Sequence, residues 1–445
     1  MNRAAATERV PGKAWLTLAI LLLMYVVSFI DRNILALMVE PIKTDLAIND
    51  FQISLLQGLS FAFFFVLFGL PMGWLVDRSS RRKIIWLGMT FWSISAAAAG
   101  LARSFGQLAV ARFGVGAGEA SLSPSAYSML SDLFPRNRLS LAINIFAAGS
   151  SIGSAFAYAL GAVAVSYAVS GGTHNVPLLG EVRSWQFVFL ITGLPGIFIA
   201  PLIFLTPEPR RRHRNVDRPN LRMLRSYLSK RRAYLSFTFL SVGMCTLLAY
   251  GTAAWFPTYL LRTHGLAIRD VGILVGSIGA TTGIAGFVFS GWMSDRLLAR
   301  GRGDAHMRPI LVGAIVMTVM AVIGFGLTHN LVISLFAYAT IHFVLPFSQA
   351  MTAHVQLTTP NEFRGQVSAL YLFVHNLIGQ ALGPSVIAAF TQFVFLDPGK
   401  VGLSIAFTFA IFGTLAIVLL LIDLPLAREA IRQADEYVLS EKNPT

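Results

Sequence analysis

Four ionisable side chains lie inside long apolar runs: Asp31 and Arg32 near the N-terminus, and Arg112 and Glu119 further along. An ionised group at bilayer depth costs at least ~2.5 kcal/mol, so each should face protein or water. Arg112 and Glu119 are seven residues apart in the sequence, two helical turns, and therefore share a helix face. Gly116 and Ser123 fall on the same stripe. A carboxylate that moves between an arginine and an apolar surrounding changes its affinity for a proton, which makes Asp31 and Glu119 candidate proton carriers. The guanidinium shape suits a phosphate or other anionic head group, so Arg32 and Arg112, with Ser123, are candidate ligand-binding residues. A static ion-pair network holding two helices together is the competing account, and the division of roles among the four charges stays open here.

The rest of the chain says what must position them. Of 445 residues 55% are hydrophobic and only 13% charged, about half the usual ~25%. The apolar residues number about 245 (0.55 × 445), which at about 20 per span is enough for roughly twelve spans. A soluble enzyme, a disordered chain and a single-span receptor are excluded. The formal net charge of +14 would suggest nucleic acid in a soluble protein. Here it fits cytoplasmic loops that meet anionic lipid, and no nucleic-acid partner is expected. The lone Cys245 cannot form an internal disulfide.

Runs of spanning length occur at about 14–38, 53–76, 84–102, 108–128, 141–168 and 185–205, then at 234–261, 271–293, 309–328, 331–354, 366–393 and 401–422. Between the sets lies a basic, proline-containing stretch, 206–232, with ten Arg or Lys against two acids. The expected fold is all-α and polytopic, with twelve transmembrane helices in two pseudo-symmetric six-helix bundles, 1–205 and 233–445, joined by the 206–232 linker. Placing the N-terminus in the cytoplasm puts 24 Lys or Arg in the N-terminal segment and even-numbered loops, three in the C-terminal tail, and six in the opposite loops. Both termini are thus expected in the cytoplasm, and a bacterial inner membrane suits a chain without a targeting extension.

A repeat supports two halves. Gly73-Trp74-Leu75-Val76-Asp77-Arg78 ends the second span and Gly291-Trp292-Met293-Ser294-Asp295-Arg296 the eighth. Within the stated limits the last six spans carry no Asp, Glu, Lys or Arg, and their ionisable candidates are His342, His354 and His375. One polar and one apolar wall would suit an amphipathic substrate. Gly114-Val115-Gly116-Ala117-Gly118, Gly149-x3-Gly153 and Gly279-x3-Gly283 read as close helix packing rather than nucleotide loops.

Taken together, these motifs resemble the major facilitator superfamily along nearly the whole chain. The second-to-third loop signature appears as Gly73 through Lys83, with Ser80 in place of the usual second glycine; the fourth-span signature appears as Arg112, Gly116 and Gly118. Trp185, Phe187, Gly193 and Pro207-Glu208-Pro209-Arg210 also match, whereas Gly153-Ser154 stands where the antiporter signature has Gly-Pro. A narrower resemblance, to the spinster-like branch, rests on Ser28-Phe29-Ile30-Asp31-Arg32-Asn33, on Arg112 through Ala120, and on Ser123-Pro124. The resemblance implies alternating access, with Asp77, Arg78 and Arg81 gating the cytoplasmic side and Asp295 in a weaker second copy. It implies an amphipathic lipid substrate, a lysophospholipid or sphingosine-1-phosphate-like molecule, coupled to protons. The chain is expected to be a monomer in contact with membrane lipid, not an enzyme, and to need no metal or organic cofactor. A carrier of small organic anions or hydrophobic drugs is the first rival, and a non-transporting sensor the second.

Overall fold

The computed structural model describes residues 10–76, 78–171, 173–176, 180–209, 221–301, 304–360 and 363–442. The apolar runs become helices because backbone groups in lipid must be satisfied within the segment. In chain order these are α1 (Gly12–Asn33), α2 (Asp50–Val76), α3 (Arg81–Ala99), α4 in two pieces (Phe105–Glu119 and Leu122–Leu133), α5 (Arg136–Gly171) and α6 (Ser184–Leu205). They continue as α7 (Arg232–His264), α8 (Ile268–Ala299), α9 (Met307–Leu327), α10 (Leu331–Thr358), α11 (Gln366–Val394) and α12 (Pro398–Gln433). The chain is an all-α polytopic membrane protein.

Ten of these helices are by themselves long and apolar enough to cross a membrane. The other two are α3, whose first turn carries Arg81, Arg82 and Lys83, and α4, which is interrupted at Ala120 and Ser121. There the Ser121 amide bonds back to the Gly118 carbonyl at 3.2 Å, and Pro124, which lacks an amide hydrogen, follows in the next turn. Between α5 and α6 the chain adds an antiparallel hairpin of β1 (Thr173–Val176) and β2 (Gly180–Arg183), paired Thr173 with Arg183 through Val176 with Gly180.

The chain divides into two compact units, one of residues 1–35 and 63–214, the other of 36–62 and 215–445. In the first, α1 lies against α5 so closely that a Cβ at Gly153 would stand 2.7 Å from the Val26 carbonyl oxygen. A Cβ at Gly118 would stand 2.8 Å from the Gly88 carbonyl oxygen, where α4 crosses α3. Ser154, in place of the signature proline, receives Asn33 Nδ2 at 3.2 Å from α1.

In the second unit, residues 36–62 are seated on α7 and α11. The helix start at Asp50 is fixed by a reciprocal cap in which Asn49 and Gln52 exchange side-chain and amide bonds of 2.9 and 3.0 Å. Arg262 of α7 grips Asp50 with both Nη atoms, at 2.7 and 2.9 Å, and donates from Nε to Glu40 at 2.7 Å. Lys43 pairs with the same Asp50. Residues 36–62 thus group with the C-terminal residues in this division, whereas 1–205 read as one half in the sequence.

Two expectations need correction in this unit. The last helix does not stop at 422: it runs on through Pro425, and Asp423, fully buried, takes the Thr238 hydroxyl of α7 at 2.8 Å. The C-terminal helices therefore do hold a buried carboxylate. Nor is Gly279-x3-Gly283 a close-packing stripe, since a Cβ at Gly283 would meet nothing within 4 Å. The close approach on α8 is at Gly286, beside the Phe343 carbonyl of α10.

Candidate functional site

The charged residues of α1 and α4 do meet, with a pairing that the sequence left open. Ser28 and Arg32 are one helical turn apart on α1 and both reach Glu119 of α4. Its Oε2 accepts Arg32 Nε at 2.8 Å and Ser28 Oγ at 3.1 Å, and Arg32 Nη2 closes the ion pair. Arg112 instead donates from Nη1 to the main-chain carbonyl of Asp31 at 3.1 Å. Both carboxyl oxygens of Asp31, and Oε1 of Glu119, are buried with no hydrogen-bond partner among the described residues. The buried Trp92 of α3 stands beside Asp31, its Nε1 short of hydrogen-bond geometry.

Exposure separates the roles these groups can play. Asp31, Arg112 and Glu119 are each 2% exposed, whereas the Arg32 side chain keeps 13%. Its guanidinium sits 4.7 Å from the Phe29 ring centroid and 5.2 Å from that of Phe65. Arg32 is thus a cation on an aromatic wall, anchored from behind by a buried carboxylate. Ser123 lies half-buried in the second piece of α4, and among the described residues no hydrogen bond ties it to the cluster.

Arg81 anchors a second cluster in the same unit. It is fully buried at the first turn of α3. Its Nη1 binds Asp132 and both oxygens of Ser128 at the end of α4, its Nε donates to Glu208 at 2.9 Å, and its Nη2 reaches the Pro209 carbonyl. Glu208 also takes Ser80 Oγ at 2.7 Å and the Arg82 amide at 3.2 Å, so the carboxylate caps the positive end of α3. Arg78 lies over Trp74 at 3.9 Å, and Arg296 over Trp292 at 5.2 Å, so both copies of the repeat place an arginine on the tryptophan four residues before it. Asp77 lies outside the described residues. Asp295 falls within α8.

Partial burial pushes Glu208 up, but the bonds from Ser80 and Arg81, the Arg82 amide and the Arg81 charge outweigh it and hold the carboxyl below its ordinary value. A carboxyl depressed by folding adds stability that is present above the unfolded value of about 4.3 and is lost as pH falls through the folded one. The thermal midpoint of the wild type should therefore exceed that of Glu208→Gln most clearly above about pH 5 and converge on it in acid. A gap that stays constant from pH 7 to pH 3 would refute this.

Several residues of these clusters are not among the sequence-derived site residues. Ser28 was visible as the residue one turn before Arg32, and Glu208 as part of the Pro207-Glu208-Pro209 exit. Phe65, Trp92, Ser128 and Asp132 carried no spacing signal, because their partners come from other helices. Among the described residues, no group of three or more His, Cys, Asp or Glu could hold a metal ion.

Comparison with known proteins places these features in context. The chain is similar to an MFS-type efflux pump of Mycolicibacterium smegmatis, 24% identical with 87% of each chain covered. It is also similar to protein spinster homolog 1 of Xenopus tropicalis, 26% identical over 84% of this chain and 72% of the relative. Among solved structures, a bacterial homolog of the human lysosomal transporter spinster, crystallised in an inward-facing and unoccupied conformation, aligns with a TM-score of 0.75. It is 24% identical and covers 95% of this chain and 98% of that one, a likeness of fold. Residues 21–384 match the Major Facilitator Superfamily, and the chain belongs to that family of membrane transporters.

Proposed function

We propose that this transporter moves an amphipathic lipid, a lysophospholipid or sphingosine-1-phosphate-like molecule, by proton-coupled alternating access. The observation that carries the reading is Arg32, a partly exposed guanidinium between Phe29 and Phe65 with Glu119 behind it. An anionic head can take the open side of the guanidinium while an acyl chain lies along the aromatic rings. Asp31 and Glu119 are the proton carriers in this reading: each has a carboxyl oxygen without a hydrogen-bond partner, so a proton can be added without breaking a bond. In this reading Ser123, half-buried, and Arg112, which must be uncovered during the cycle to reach a ligand, are the further head-group residues, and Asp77, Arg78, Arg81 and Asp295 belong to the cytoplasmic gate. The two six-helix halves, 1–205 and 233–445, work about the 206–232 linker in a monomer that needs no cofactor. Both termini are in the cytoplasm, in a bacterial inner membrane.

The test uses purified protein in liposomes, a labelled lysophospholipid and an imposed pH gradient. Gradient-driven movement should fall at least tenfold in Glu119→Gln and severalfold in Arg32→Gln. Movement that ignores the gradient would remove the proton from the mechanism and keep the lipid. One rival is a carrier of small organic anions or hydrophobic drugs, and the similarity to a D-galactonate transporter of Escherichia coli favours its anion form. Transport of such a solute, with no movement of the lysolipid, would establish that rival instead.

A further inference from the structure

Outside the charged cluster, the first unit carries a groove of about 630 Å³ along α3 and α4. Its lining includes the exposed Phe91, Ile94, Leu101 and Val110 and the buried small residues Ala102 and Ala111. From Phe91 to Leu101 the α3 side runs ten residues, roughly 15 Å at helical rise. That is half of a hydrocarbon core of about 30 Å, the depth of one leaflet. Beyond the end of α3 the chain carries the exposed Arg103, between Ala102 and Gly106 in sequence; those two residues line the groove, and Arg103 belongs to the loop that joins them. Its amide donates to the side chain of Gln107, another lining residue, at 2.7 Å. A leaflet-deep apolar trough thus ends at the Gln107 side chain and at a loop that carries a cation, where a lipid would place its phosphate.

We infer that this groove is a binding site for one glycerophospholipid, with an acyl chain between α3 and α4 and its phosphate at Arg103 and Gln107. The site is separate from the Arg32–Glu119 cluster and does not depend on the transported substrate. Charge complementarity and the match to leaflet depth favour a phosphate-bearing lipid over a second copy of the chain. The structure also supplies a variant that fills the site without disturbing it. A Cβ at Gly106 would meet nothing within 4 Å, so Gly106→Phe can project into the trough at the start of α4.

Native mass spectrometry of the full-length protein, titrated with phosphatidylglycerol, reads the result. The wild type should retain one lipid beyond the non-specific background. Gly106→Phe should weaken that binding about tenfold or more with its thermal midpoint unchanged. Arg103→Gln should weaken it severalfold, and diacylglycerol, which has the chains without the phosphate, should bind at least tenfold less tightly. Arg112→Ala should retain the lipid, which separates this site from the charged cluster. Wild-type binding by Gly106→Phe would overturn the proposal. So would binding of glycerophosphate as tight as that of the lipid, or a dimer mass that disappears in Gly106→Phe, since either names a different occupant.

Discussion

Arg81→Ala should lower the free energy of unfolding by about 3–5 kcal/mol, the range for removing one partner of a buried ion pair. Arg81 is completely buried and binds two carboxylates, a serine and a main-chain carbonyl from the end of α4 and the segment after α6. The two carboxylates do not suffer equally. Glu208 retains Ser80 and the α3 amides and is 27% exposed, so water can replace part of what is lost. Asp132 is 9% exposed, so water can replace less of what it loses. Asp132→Asn should therefore recover more of the Arg81→Ala deficit than Glu208→Gln. Arg81→Lys should recover little, because an ammonium cannot reach both acids in the guanidinium's fork. Unfolding monitored in detergent for the single and paired variants measures this. A loss under 1 kcal/mol for Arg81→Ala would mean that the cluster adds no stability.

The same arginine shows how structure and transport meet. A gating residue is expected to sit in water at the membrane edge and exchange partners, yet Arg81 is the buried hub of contacts within one unit. In the proposed gate its part is then indirect, through the placing of α3. This also explains why the motif tolerates Ser80 in place of glycine. The serine hydroxyl fills a place at the helix start by donating to Glu208.

The helical, polytopic character of the chain was legible because it depends on local composition, and the shared face of Arg112 and Glu119 because it depends on spacing along one helix. The identity of ion partners was not. Arg32 and Arg112 look equivalent in the sequence, but Arg32 takes the Glu119 carboxylate and Arg112 an Asp31 carbonyl, a choice made by the relative rotation of two helices. Asp423 was placed outside its span because an apolar run is read to end at a charge. The helix continues through it, and Thr238, from a helix 185 residues earlier in the chain, donates to the buried carboxylate. The glycine stripes divide in the same way: Gly153 faces a neighbouring helix and Gly283 does not, and periodicity alone carries no sign of which face is occupied.

The seating of residues 36–62 on α7 yields the second large effect. Arg262→Ala should raise amide hydrogen exchange across Val39–Leu46 and Asp50–Gln57 by roughly 100-fold, from the loss of about 3 kcal/mol at the low end for a broken buried pair. The low end applies because Lys43 still pairs with Asp50, which is only 1% exposed. Glu40, at 41% exposure, contributes as a surface partner, and Glu40→Gln should change exchange less than threefold. Salt discriminates further. Raising ionic strength screens exposed pairs and leaves buried ones largely intact, so 1 M salt should not reproduce the Arg262→Ala pattern. A steric route to the same end exists at Gly58, whose added Cβ would lie 2.8 Å from the carbonyl oxygens of Gln380 and Ala381. Gly58→Val should loosen the same peptides in a salt-independent way. If Arg262→Ala leaves their exchange at the wild-type rate while Gly58→Val accelerates it, packing alone holds the segment and the ion pair is dispensable.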